Sequence, residues 1–397
     1  MSSQFRYIIV GGGLAGASAV EGIREHDRSG SIALFCKEPV LPYDRPPLSK
    51  GLWTGKTSLA EIQLHDEAFY KSRNVHVYTG TEIGSIDVKK KQVTDAGGAR
   101  FVYDRLLIAT GGTPRSLSFG AGAVTYFRTV DDYKLLNAAS NDLEEFLFIG
   151  GGFIGGELAA ALTMKGKKVT MVFPDDFLLQ RVLPEDLAEF VTNYYREKGI
   201  EVISGDIPTG VERSDGKSVV ATRGGRTISS DMVVAAIGLN VHTEMAKRAG
   251  LKVENGIAVN TFLQTSDPFV YAAGDIAFFP SPSLDKSIRI EHWNNAQAQG
   301  KHAGENMSGA DKPFTYLPYF YSDLFDLGFE AIGDLDSKLQ IFVDWKEEFR
   351  EGVVYYLGDG KVRGVLLWNV WGKVDDARDL INKKKTYANH SHLKGRL

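Results

Sequence analysis

Two short glycine-rich stretches, each followed by acidic residues, are the parts of this chain whose composition and spacing most directly imply chemistry. The first is Gly11-Gly12-Gly13-Leu14-Ala15-Gly16, preceded by Ile8-Ile9-Val10 and followed by Lys37 and Glu38. The second is Gly150-Gly151-Gly152-Phe153-Ile154-Gly155, preceded by Phe146-Leu147-Phe148-Ile149 and followed by Asp175 and Asp176. Both read G-x-G-x-x-G between a buried apolar strand and a helix-like stretch. In such a turn the first glycine permits the tight bend, the second lets a pyrophosphate approach the backbone, and the third packs helix on strand. The free N–H groups and dipole of the following helix then face the phosphates. A carboxylate about 20 residues on accepts hydrogen bonds from a ribose. One copy is a weak signal in a chain with 43 glycines. Two copies in the same context imply two dinucleotides bound side by side, as in a flavoprotein reduced by a nicotinamide.

The acids are unequal. Glu38 lies just past Ile32-Ala33-Leu34-Phe35, the second strand of the first unit. Asp175 comes slightly late after Lys168–Phe173, which ends in an aromatic. Asp175 would repel a 2′-phosphate and favour NADH, whereas the nearby Arg181 could tolerate that phosphate, which leaves NADPH open.

Composition narrows the classes. A chain of 397 residues that is 43% hydrophobic should hold two or three packed domains. The net charge of −4 and the absence of a long basic run in the body argue against nucleic acid or a membrane surface as main partner. The basic stretch Asn382 to Leu397 reads as a solvated C-terminus. No apolar run has the length of a membrane span. The first strand starts so early that no room is left for a targeting segment, so the expected compartment is the cytoplasm. The single cysteine, Cys36, excludes a C-x-x-C dithiol, an internal disulfide and a Cys₄ iron–sulfur cluster. It ends an apolar strand and reads as inert filler. Electrons that reach a flavin must then leave directly for an outside acceptor. The eight histidines are scattered, and no metal site is expected.

These elements must be positioned by a larger frame. A strand near Phe101 to Ile108 ends in the small residues Ala109-Thr110-Gly111-Gly112, suited to close passage of backbone past a cofactor. Met232 to Ile237, ending at Gly238, repeats that pattern in the second unit. Val270 to Asp275 then returns the chain to the first. This organisation gives an FAD-binding domain from 1–115 and 238–312, an inserted NAD(H)-binding domain at 116–237, and a C-terminal domain at 313–397. In the last, Gln340 to Asp344, Gly352 to Leu357 and Val362 to Trp368 read as strands. The turn Gly358-Asp359-Gly360 makes a hairpin of the latter two, and a short helix spans Asp375 to Ile381.

Four signatures carry a family resemblance: Pro42-Tyr43-Asp44-Arg45-Pro46-Pro47-Leu48-Ser49-Lys50, Ala109-Thr110-Gly111-Gly112-Thr113-Pro114-Arg115, Tyr271-Ala272-Ala273-Gly274-Asp275, and Glu291-His292-Trp293 before a helix. The chain resembles the flavin reductases that include ferredoxin reductases of oxygenase systems and apoptosis-inducing factor. It is most similar to the latter, through Gly150 to Glu157 with Phe173-Pro174-Asp175, Gly304 to Gly309, and Gly364 to Asn369. No transit peptide like that relative's is expected, and the long C-terminal insertion and surplus positive charge of that relative are not seen in this sequence. The implied fold is α/β, with two Rossmann-like dinucleotide-binding domains arranged as in glutathione reductase plus a small α+β C-terminal domain.

The resemblance implies site residues as well. It puts Lys50 and Glu157 together beside the flavin ring, where a hydride arrival leaves negative charge. An ammonium stabilises that charge, and a carboxylate keeps the ammonium placed and protonated. Arg45 and Arg128 match pyrophosphate and flavin contacts, and Asp275 matches the carboxylate on the ribityl chain. Loops and resemblance together assign FAD to Gly11, Gly13, Leu14, Ala15, Gly16, Lys37, Glu38, Arg45, Lys50, Ile83, Ala109, Thr110, Gly111, Arg128, Asp275, His292, Trp293 and Tyr321. They assign NAD to Gly151, Gly152, Phe153, Ile154, Glu157, Asp175, Arg181, Gly238, Glu291, His292, Glu330 and Asn369, with Trp53 a looser match. Tyr321 stands where relatives carry tryptophan. Phe153 and Ile154 shape the nicotinamide groove. The implied activity is hydride transfer from NADH to tightly bound FAD, then electron delivery to a small iron–sulfur protein, a quinone or another acceptor. The alternative is a slow-turnover NADH sensor that forms a redox-dependent homodimer.

Overall fold

The computed structural model describes residues 3–397. Contacts divide the chain into two units: 1–44, 59–113 and 240–318 form one, and 45–58, 114–239 and 319–397 form the other.

The first unit is built on the strand Ser3–Val10. It pairs in parallel with Ile32–Phe35 on one side and Arg100–Ile108 on the other, with Ile8 opposite Ala33 and Leu106. Val75–Tyr78 and Val270–Ala272 extend the parallel part, and an antiparallel pair, Gln92–Asp95 with Ile83–Asp87, closes one edge. Strand order therefore reverses at the C-terminal end of Ser3–Val10, the place where open α/β sheets bind ligands. Both faces are buried, which is why the run is apolar without alternation. Tyr7, Ile9, Ile32 and Leu34 pack with Ala15, Ala19 and Ile23 of the helix Leu14–His26 and with Ala303 and Met307 of Trp293–Met307. Ile8, Val10, Ala33 and Phe35 pack on the opposite face with Ala246, Ile257 and Ile276.

The second unit repeats the plan. Glu145–Ile149 pairs in parallel with Lys168–Val172 and Met232–Ala235, flanked by Glu201–Ile203 and Val124–Tyr126. A three-stranded antiparallel sheet, Pro208–Ser214, Lys217–Thr222 and Thr227–Ser230, was not foreseen, although Asp215-Gly216 is a strong hairpin turn. The C-terminal segment forms five antiparallel strands in the order Tyr319–Leu324, Leu327–Gly333, Lys361–Trp368, Glu351–Gly358, Gln340–Glu347. The expected hairpin at 358–360 is present, with Gly358 opposite Lys361, and the expected helix spans Val374–Asn382. The basic C-terminal stretch is anchored: Tyr387 donates its N–H to Gly360, and Tyr387 and Leu393 are buried while its lysines stay at the surface. Among the described residues, no helix is long and apolar enough to cross a membrane.

Candidate active site

In the first glycine loop three glycines are required by packing and one faces open space. A Cβ on Gly11, whose φ is +129°, would stand 2.1 Å from the Ala109 carbonyl oxygen. On Gly12 it would meet the Cys36 Sγ at 2.4 Å, and on Gly16 the Gly11 carbonyl at 2.0 Å. On Gly13 it would meet nothing within 4 Å. Gly13 is also the N-cap of Leu14–His26 and offers no side-chain cap. The first-turn N–H groups of that helix are thus the donors a phosphate would use.

The other expected FAD residues surround this frame. Glu38 follows Ile32–Phe35 and accepts a 2.6 Å hydrogen bond from the Tyr43 hydroxyl. Lys37 pairs at the surface with Glu82, and Ile83 is buried at the start of its strand. Ala109-Thr110-Gly111 follow Arg100–Ile108, and the Thr110 hydroxyl is buried without a hydrogen-bond partner. Such an orphaned group fits a chain that holds a bound cofactor there. Asp275 sits in the short turn Gly274–Ile276, where its carbonyl accepts from Arg289, and Arg289 also pairs with Glu291 at 2.6 Å. His292 occupies the N-cap position of Trp293–Met307 without a side-chain capping bond. Burial lowers its pKa to about 4 against the opposing pull of Asp275, so the imidazole is neutral at neutral pH. The Trp293 indole donates to Asp44. Sequence reasoning missed Gln299, wholly buried, which accepts from the Gly274 N–H and leaves its amide nitrogen unpartnered. Nothing in its local sequence marks it.

The second loop has the same construction. A Cβ on Gly150 would approach the Ala236 carbonyl to 2.4 Å, one on Gly151 the Phe173 ring to 2.8 Å, and one on Gly155 the Gly150 carbonyl to 2.5 Å. Gly152, the uncapped N-cap of Phe153–Met164, again faces open space. Asp175 does not stand alone: the Arg181 guanidinium lies 3.3 Å from its carboxylate. Gly238 has a φ of +99° and lies beside the Arg115 side chain. Phe153 packs edge-on to Phe320, with ring centroids 5.4 Å apart, while Ile154 is exposed. Glu330 is paired across strands with Tyr321 and accepts from the Gly372 N–H. Asn369 spends its amide on backbone, accepting from Gly328 and donating to Arg350. Trp53 is buried, bonded to the Leu48 carbonyl. Arg45 donates to the Arg128 carbonyl at 2.7 Å, which brings those two residues together.

Lys50 and Glu157 form an ion pair. Only 3% of the Glu157 side chain and 15% of that of Lys50 are exposed. Lys50 follows the turn Pro46–Ser49, and Glu157 lies on Phe153–Met164. Two hydroxyls that sequence reasoning missed complete the cluster: Ser49 donates to Glu157 Oε2 at 2.6 Å and Ser322 to Oε1 at 2.7 Å. Tyr321, next to Ser322, presents its ring 5.3 Å from the Lys50 ammonium. Three donors, Lys50, Ser49 and Ser322, converge on the Glu157 carboxylate, and the resulting pair can hold a positive charge in place.

The family model for pyridine nucleotide-disulphide oxidoreductases matches residues 5–300. The chain belongs to that family. Residues 303–345 and 342–383 match the model for the C-terminal region of mitochondrion-associated apoptosis-inducing factor. Apoptosis-inducing factor 1, mitochondrial, of Dictyostelium discoideum is 34% identical over 98% of this chain and 80% of that protein. Putidaredoxin reductase CamA of Pseudomonas putida is 33% identical over 92% of this chain and 89% of its own length. The reductase in a covalent putidaredoxin reductase–putidaredoxin complex superposes with a TM-score of 0.90, at 31% identity, over 96% of this chain and 94% of that one. The protein is an NAD(P)H oxidoreductase that uses FAD and passes electrons to an external acceptor. Despite the family's name, it has one cysteine. Cys36 is buried, and burial, with Glu38 nearby, pushes its thiol up to about 12, so it is neither a thiolate nor half of a dithiol.

Proposed function

We propose that this protein is an NADH-dependent reductase of a small iron–sulfur protein. The observation that carries the reading is the buried Lys50–Glu157 pair in a chain whose only cysteine is an inert, buried thiol. A reductase without a dithiol must send electrons out from its flavin. Bound FAD supplies the chemistry of taking a hydride and releasing electrons one at a time.

The chain's own residues divide the remaining work. The first loop, with Glu38 and Asp275, retains FAD. The second, with Gly152 and Asp175, exchanges NADH, and the carboxylate of Asp175 disfavours a 2′-phosphate. Lys50 supplies the positive charge that favours hydride arrival, and Glu157 keeps that charge in place. The segments 1–115 with 238–312, 116–237 and 313–397 serve as FAD, nicotinamide and C-terminal domains, and the protein works in the cytoplasm. The test is NADH-dependent cytochrome c reduction with and without an added ferredoxin. Saturable dependence on ferredoxin is expected. A rate independent of ferredoxin, or equally fast with quinones alone, contradicts this acceptor.

The match of the C-terminal segment to the apoptosis-inducing-factor model favours a second reading, an NADH sensor that dimerises when reduced. NADH-induced dimerisation with slow reoxidation in air supports it, and rapid turnover as a monomer excludes it.

A further inference from the structure

Both oxygens of Glu157 are occupied from different parts of the chain. Oε2 accepts from Ser49 and Oε1 from Ser322, and Lys50 also pairs at Oε1. Ser49 is buried in the turn directly before Lys50. Ser322 is wholly buried in the first strand of the C-terminal sheet, in register with Phe329. Neither hydroxyl is needed by the secondary structure that carries it: the strand pairs through its backbone, and Ser49 Oγ is 3.4 Å from the Pro46 carbonyl against 2.6 Å from Glu157. A lysine alone would leave the carboxylate free to turn about its last side-chain bonds. Donors on opposite oxygens fix its plane, and a fixed carboxylate in turn fixes the end of a long, flexible lysine stem.

We infer that Ser49 and Ser322 are positioning residues for the hydride step, and that the C-terminal sheet contributes to the reductase chemistry through Ser322. The chemistry that bound FAD would supply there is acceptance of a hydride, with its two electrons, from NADH, which would be released as NAD⁺. Both serines donate to Glu157. They act by holding Glu157, which holds the Lys50 charge that favours the electron-rich side of the exchange. The inference rests on the Lys50–Glu157 role proposed above.

The test uses the FAD-loaded protein as wild type, Ser49→Ala, Ser322→Ala, Glu157→Gln and Ser322→Ala/Glu157→Gln. Two readouts are taken: the midpoint potential of the bound flavin by dye equilibration, and the anaerobic rate of flavin reduction by NADH. Each serine variant should destabilise the reduced form about tenfold, about 30 mV for a two-electron couple, and slow reduction by about tenfold. Neither effect should add to that of Glu157→Gln, because residues that act through one group are not additive. If Ser322→Ala does not fold, Ser49→Ala carries the same cycle in the Glu157→Gln background. Serine variants with wild-type potential and rate, beside a slow Glu157→Gln, overturn this inference alone. Serine effects that persist in full in the Glu157→Gln background also overturn it, because they mark a purely structural role. Wild-type reduction by both Glu157→Gln and Lys50→Ala overturns the underlying reading instead.

Discussion

Gly13→Ala separates a glycine needed for folding from one needed for a ligand. Its backbone, at φ −91° and ψ −173°, is open to alanine, and the added Cβ would meet no protein atom within 4 Å. The apoprotein should therefore fold, at a cost below about 1 kcal/mol for the altered cap. The same methyl would occupy the approach of the pyrophosphate to the helix N-terminus. Losing one or two N–H bonds to a charged group, at about 1.5–3 kcal/mol each, weakens FAD binding at least tenfold, and by about a hundredfold to ten-thousandfold if both are lost. Gly11→Ala is the control, since its Cβ would overlap the Ala109 carbonyl and should prevent folding. Gly152→Ala is the mirror experiment, expected to weaken NADH and leave FAD in place. The assays are thermal melting of the stripped protein, flavin fluorescence during reconstitution, and NADH titration. A Gly13→Ala apoprotein that rebinds FAD with the wild-type Kd refutes the reasoning, as does a Gly152→Ala protein that loses FAD rather than NADH.

Further outcomes follow from individual contacts. Asp175→Ala removes the carboxylate that repels a 2′-phosphate and frees Arg181, which is 79% exposed, so the NADPH-to-NADH ratio of kcat/KM should rise by about tenfold; an unchanged ratio contradicts the assignment. Cys36→Ser should cost about 1–3 kcal/mol of stability by burying an unpaired hydroxyl, yet leave NADH-dependent turnover intact; a folded, FAD-loaded variant without turnover would overturn the external-acceptor argument. His292 titrates near 4 when folded and near 6.5 when unfolded. The unfolded state binds the extra proton between those values, so apoprotein stability is complete above about pH 6.5 and falls by up to about 3 kcal/mol as pH drops towards 4. Urea unfolding across that range should show this fall, and His292→Gln should remove this contribution.

The parts of the fold legible in the sequence are those whose signal is local. The two glycine loops announce strand, turn and helix because packing leaves no alternative at Gly11, Gly16, Gly150 and Gly155. The 358–360 hairpin is equally local. The hairpin of Tyr319–Leu324 with Leu327–Gly333 is less so, because its turn puts Phe325 at a φ of +62°, where glycine or asparagine is usual, and Asp326 alone marks it. The Lys50–Glu157 pair was legible only through the family resemblance, since 107 positions separate the partners in the numbering, 157 minus 50. Ser49 and Ser322 were both inside or beside quoted motifs, yet a serine carries no sign of a partner 108 or 165 residues away. Gly12 and Gly151 have a reason that no motif states: each lies against the end of the next strand, at Cys36 and Phe173. Asp175 and Arg181, whose opposed effects on a 2′-phosphate follow from sequence proximity, lie 3.3 Å apart as an ion pair, a contact that sequence spacing does not state.

The most direct test of the two-dinucleotide, no-dithiol mechanism is an anaerobic titration of the FAD-loaded protein with NADH, followed by the flavin absorbance. One equivalent of NADH per flavin should bleach the oxidised spectrum, and Lys50→Ala should bleach far more slowly while retaining its FAD. A spectrum unchanged by NADH, a demand for further equivalents to reduce a second centre, or a Lys50→Ala protein that bleaches at the wild-type rate would contradict it.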